Sequence, residues 1–151
     1  MLPRQMAERC PGARPLGPAV LRNWKFLITT RGTANIEPVQ GSAVHGVLWS
    51  CHGRHIHRLD QFEGVRWRNY IRRMEPVELD GERRWTPAFT YVSARRYTSR
   101  ARRPNYMLTA VMPGARAFGL PSDYIAELES WLPAYPAGAA NNRYRGRRRQ
   151  R

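Results

Sequence analysis

Two strand-forming runs, residues 69–79 and 85–94, flank Asp80-Gly81, the strongest hairpin signal in the chain. Two strands alone are marginal in water, so the rest of the sequence has to supply further strands and cover. Pro76 lies inside the first run and predicts an edge or a bulge near its end. Residues 20–29 read as a strand, because Trp24, Phe26 and Ile28 alternate with Asn23 and Lys25. Arg31-Gly32-Thr33-Ala34-Asn35 is a turn, and Ile36-Glu37-Pro38 leads into a loop around Gly41. Residues 43–49, rich in Val and Trp, form another strand.

Helical signals are fewer. Residues 1–10 predict a short helix, with Pro3 in its first turn and Met6 and Cys10 on one side, stopped by Pro11-Gly12. Residues 51–62 suit a second short helix. Pro121 opens a third, with Tyr124, Ile125, Leu128 and Trp131 or Leu132 on one face. Strands outnumber helices but both occur, which predicts an α+β domain.

At 151 residues, 42% of them apolar, the chain is long enough for one domain with a real core. Its formal charge is +15, and 25 of the 26 basic residues are Arg, with Lys25 the exception. Six of those Arg lie in the last nine residues; subtracting them leaves the body at +9. After Pro133 the sequence turns small and polar and then almost wholly basic. The expected division is therefore a domain over residues 1–135 and a disordered Arg-rich tail over 136–151. Such a tail binds polyanions non-specifically and loses affinity steeply with salt. Cys10 and Cys51 form no CxxC pair and are too few to staple a domain this size. No apolar run approaches the ~20 residues of a membrane span, and the N-terminus lacks a signal-peptide core. The expectation is a cytoplasmic protein without membrane partners.

Three clusters carry chemistry or mimic it. Cys51-His52-Gly53-Arg54-His55-Ile56-His57 holds four metal-ligand types in seven residues. Tetrahedral ligation would want a second pair at a workable spacing, and only the isolated Cys10 and His45 remain, so no metal site is expected. Arg95, Arg96, Arg100, Arg102 and Arg103 around Tyr97 suit either an RNA-contacting loop or a solvated basic surface. No phosphate-cradling Gly-rich loop and no nucleophile elbow is present.

The third cluster is Leu59-Asp60-Gln61-Phe62-Glu63-Gly64-Val65. It sets the carboxylate of Glu63 against a glycine and between apolar neighbours. A carboxylate against apolar walls keeps its proton more easily and works as an acid or base near neutral pH. The same residues also read as a helix C-terminus, with Gly64 as the cap and Glu63 solvated beside it.

Six motifs in order resemble the gamma-glutamylcyclotransferase family, also called AIG2-like. They are Arg9-Cys10-Pro11-Gly12-Ala13; Leu21-x-x-Trp24-x-Phe26; Ala34-Asn35-Ile36-x-Pro38; Val44-x-Gly46-Val47-Leu48-Trp49; Leu59-Asp60-x-x-Glu63-Gly64-Val65 with Tyr70; and Gly114-Ala115-x-x-x-Gly119-Leu120-Pro121-x-x-Tyr124. Each is weak alone, but six in register are specific, and together they cover about residues 1–132. The resemblance implies a small mixed β-barrel with flanking helices. It also implies cyclisation of a γ-glutamyl amine or amino acid to 5-oxoproline and a free amine, without a cofactor. The family's acid/base falls on Glu63, and its pocket tyrosines on Tyr70, Tyr91 and Tyr106. Family members begin with a strand ending in Tyr-Gly-Ser-Asn, whose backbone amides grip the γ-glutamyl group, and Met1 stands where that loop ends. The resemblance thus implies a true start further upstream and a poor catalyst as written. The rival expectations are a basic nucleic-acid-associated protein and a non-catalytic relic of the family.

Overall fold

The computed structural model describes residues 2–29, 32–79, 84–94 and 107–132. The Asp80-Gly81 turn, the Arg cluster from Arg95 to Arg103, Tyr106 and the basic tail lie outside the described residues. α1 (Pro3–Arg9) leads into two long strands, β1 (Arg14–Ile28) and β2 (Ala34–Ser50). α2 (Gly53–Phe62) and a 3-10 turn (Val65–Trp67) precede β3 (Tyr70–Leu79) and β4 (Trp85–Ser93). A π-turn at Met107–Val111, α3 (Met112–Ala117) and α4 (Ser122–Glu129) complete the described chain. No helix among the described residues is long and apolar enough to cross a membrane.

The α+β class expected from the sequence is what the chain adopts. The four strands form one antiparallel sheet in the order β2-β1-β3-β4. It is an open sheet rather than a closed barrel. β1 and β2 pair along nearly their whole length, and β3 pairs with β4 from Tyr70–Ser93 to Glu78–Trp85. Among the described residues the ladder between the two pairs is short, Ala19–Leu79 and Val20–Glu78. Pro76 therefore takes up a regular place opposite Pro87, with no bulge. It lies beyond the stretch where β1 bonds to β3, so its missing N–H costs nothing there.

Two expectations about β1 and β2 are corrected. The loop predicted around Gly41 is a bulge within a continuous β2. Asn23 and Gly41 face each other with φ of 62° and 80°, and the Asn23 side-chain oxygen accepts the Gly41 N–H at 3.1 Å. The register shifts between Arg22 and Trp24 at this point. Arg22 pairs with Ala43 and Trp24 with Pro38, so β2 carries three more residues than β1 across the bulge, and Leu21 and Trp24, three apart, join the same cluster. β1 also begins six residues before the expected strand, at Arg14, and passes Pro15, Gly17 and Pro18 through a second register shift.

The core has two parts. Leu21, Trp24 and Ile36 gather Val44, Val77 and Val92 between the two strand pairs. Phe26 and Ile28 face Val111, Met112, Ala115, Leu120, Tyr124 and Leu128 from the C-terminal helices. The apolar face predicted for the last helix is the face that docks there, with Ile125, Trp131 and Leu132 at its margin and Trp131 edge-on to Phe26 at 6.2 Å. α3 has no counterpart among the expected elements.

Candidate active site

α2 ends at Glu63, and Gly64 follows in the left-handed conformation with φ of 62°. The C-cap reading of the heptapeptide is therefore right about the backbone. It is wrong about the side chain, which is not solvated: Glu63 is 23% exposed and ion-paired to Arg9. The 3-10 turn then closes on itself, with the Asn69 N–H donating to the Gly64 carbonyl at 3.1 Å, and starts β3 at Tyr70.

Gly64 is needed twice over. A Cβ there would require an unfavourable positive φ and would lie 2.6 Å from the side-chain Nδ2 of Asn69. Gly64→Ala is expected to cost about 1–2 kcal/mol, the usual penalty for a side chain in this conformation. Chemical denaturation checks it, and an unchanged midpoint would mean the turn relaxes without cost.

Glu63 opens onto a cavity of about 330 Å³ lined by Arg9, Thr33, Ala34, Phe62, Tyr70 and Tyr91. The sequence-predicted Glu63, Tyr70 and Tyr91 thus share one site. A second hollow of about 160 Å³ between the strand pairs is lined by groups such as Leu21, Ile36, Val44 and Val77. It carries no titratable side chain, whereas the Glu63 cavity holds Arg9, Glu63 and two tyrosines.

Arg9 comes from the end of α1, 54 residues away, and its Nη1 donates to Glu63 Oε1 at 3.0 Å. Its guanidinium also lies over the Phe62 ring, 5.0 Å from the centroid. α1 is held against α2 by buried contacts. The Cys10 thiol lies 3.8 Å from the His55 carbonyl, and His55 Nε2 lies 3.0 Å from the Pro11 carbonyl. A carbonyl only accepts, so Nε2 carries the proton, and Nδ1 accepts the His52 N–H at 3.2 Å. His55 is thereby a buried structural clamp. Among the described residues no three metal-ligand side chains converge.

Burial pushes the Glu63 carboxyl above its ordinary value, and Arg9 opposes this without reversing it. The group therefore takes up a proton more readily than an exposed carboxylate does. The Tyr70 hydroxyl donates to the Ala34 carbonyl at 2.9 Å. The Tyr91 hydroxyl donates to Asp60 Oδ1 at 2.8 Å, while Arg72 holds Oδ2 at 2.6 Å. Burial, and then Asp60, drive the Tyr91 phenol far up, so it stays protonated. Each tyrosine donates its proton to the protein, and a phenol oxygen that donates can still accept.

Sequence reasoning missed Arg9 and Asp60 as parts of the site. Asp60 stands one helical turn before Glu63 within the same heptapeptide, a spacing that places both on one side of α2. Tyr91→Phe should cost roughly 1.5 kcal/mol, the lower end for hydrogen bonds to a charged group, because Asp60 keeps Arg72 and is partly exposed. Thermal unfolding measures this, and no loss would show that Arg72 alone satisfies Asp60.

No curated protein matches this chain in sequence. Its fold is similar to a solved structure described as gamma-glutamyl cyclotransferase, with a TM-score of 0.79 and 24% identity over 91% of this chain and 85% of that one. It is similar to an uncharacterized protein from Homo sapiens, with a TM-score of 0.78 and 25% identity over 89% of this chain and 85% of that one. YkqA from Bacillus subtilis also shares the fold, with a TM-score of 0.73 and 20% identity, over 89% of this chain but 49% of that one. The model of the AIG2-like family matches residues 43–128, more than half of the chain and the part that carries Glu63, Tyr70 and Tyr91. The chain belongs to the AIG2-like family.

Proposed function

We propose that this protein is a gamma-glutamylcyclotransferase-like enzyme that converts a γ-glutamyl amine or amino acid into 5-oxoproline and the free amine. The observation that carries the reading is a half-buried carboxylate with raised proton affinity, Glu63, facing a cavity that Tyr70 and Tyr91 also line. In the reaction the substrate's α-amine attacks its own γ-carbonyl. One C–N bond forms and, after collapse of the tetrahedral centre, the original γ-amide C–N bond breaks. Glu63 takes the proton from the attacking nitrogen and returns it to the leaving one. The step is redox-neutral and requires no cofactor. Because nucleophile and electrophile belong to one molecule, the site has to fold the substrate and move one proton. Tyr70 and Tyr91 offer acceptor oxygens to its N–H groups.

The test is to incubate the protein with γ-glutamyl amines and γ-glutamyl dipeptides and quantify products. Equal amounts of 5-oxoproline and free amine are expected. Release of glutamate instead would mean that water is the nucleophile and the reading is wrong.

A further inference from the structure

Among the described residues that line the cavity, Arg9 is the one cation and Glu63 the one carboxylate. They stand side by side, 3.0 Å apart, and their side chains are only 25% and 23% exposed. Of the five N–H donors on the Arg9 guanidinium, one is taken up by Glu63, and the ring of Phe62 backs its face. This is a preformed, partly desolvated pair of opposite charges at the floor of a small pocket. Its natural complement is a second pair of opposite charges carried on a single carbon, which is the head of an α-amino acid. Each protein charge can then exchange its partner for a ligand charge without being left bare in a low-dielectric site.

We propose that Arg9 binds the α-carboxylate of the γ-glutamyl substrate while Glu63 receives its α-ammonium, so that substrate entry splits the Arg9–Glu63 pair. This rests on the cyclisation reading and adds to it the residue that selects for a free α-carboxylate. The exchange also sets order on the chemistry. Glu63 exchanges the Arg9 guanidinium for the substrate's ammonium only when a carboxylate takes its place on Arg9, so a ligand without that carboxylate leaves the proton acceptor tied to Arg9. A guanidinium suits the role because it offers two parallel N–H groups to a carboxylate.

The product isolates this contact from catalysis, since 5-oxoproline carries the carboxylate and 2-pyrrolidinone is the same ring without it. Both are titrated by calorimetry or NMR into the full-length protein, Arg9→Lys and Arg9→Gln. The wild type should bind 5-oxoproline roughly 10- to 100-fold more tightly, the worth of a charge-assisted contact. Arg9→Gln should bring that ratio near one, and Arg9→Lys should restore part of it. Should Arg9→Gln fail to fold, a ratio in Arg9→Lys well below that of the wild type supports the proposal equally. Equal or undetectable binding of both ligands by the wild type overturns the proposal, as does a preference undiminished in either variant. Failure of the cyclisation reading is seen separately, as absent 5-oxoproline release in the product assay, and leaves the ligand ratio readable.

Discussion

Glu63→Gln should lower turnover by roughly 10²–10⁴, the usual contribution of a positioned acid/base, while leaving the fold intact. The amide is nearly isosteric and still accepts the Arg9 N–H, but it cannot carry the proton from one nitrogen to the other. Full activity in a folded Glu63→Gln protein would mean that the proton travels through another group. The same variant has a signature in stability. In the native protein the carboxyl holds its proton above the ordinary carboxylate value of 4.5. Between that value and the raised one, the folded state therefore binds more protons than the unfolded chain. Stability contributed by Glu63 is then present at acid pH and falls as pH rises through this window. Glu63→Gln lacks that fall, so relative to the wild type it should gain stability from acid toward neutral pH. Melting curves of both proteins across this range check the sign. A variant that loses stability toward neutral pH would show that the Arg9 pair outweighs the burial of Glu63.

Leu128→Ala should destabilise the domain by about 2–5 kcal/mol, the range for emptying a fully buried leucine site. Leu128 is 1% exposed and packs with Tyr124 against Phe26 and Ile28. Domains of this size are stable by only about 5–15 kcal/mol, so one such cavity can consume a large share. The result bears on the site as well, because the helices press on β1, whose last residue, Ile28, pairs with Ala34 in the wall of the cavity. Urea denaturation measures the loss. A change below about 1 kcal/mol would mean that α4 is a loosely attached element and the core lies elsewhere.

Local rules made part of this structure legible. The β3–β4 pair follows from alternation on either side of Asp80-Gly81, and α2 with its cap follows from residues 53–64 alone. α4 shows its face through Tyr124, Ile125, Leu128 and Trp131. Each of these signals lies within a dozen or so residues, within reach of helical or strand periodicity. Residues 38–41 misled for the same reason, since Pro38 and Gly41 carry the local chemistry of loops. A partner strand overrode them: Asn23 caps the Gly41 N–H from 18 positions away, a bond no window over that segment contains.

The candidate site divides in the same way. Glu63 stood out in the sequence as a carboxylate beside a glycine among apolar residues, and Tyr70 and Tyr91 were marked by the family resemblance. By itself the sequence determined the α+β class, most of the elements and the candidate proton carrier, because propensity, capping and motif spacing are properties of short segments. Tertiary structure alone decided that Glu63 is half-buried rather than fully solvated, that Arg9 is its partner and that Asp60 accepts the Tyr91 proton. Burial and pairing depend on which distant segments meet, and that is settled by packing α1 against α2 and β4 beside β3.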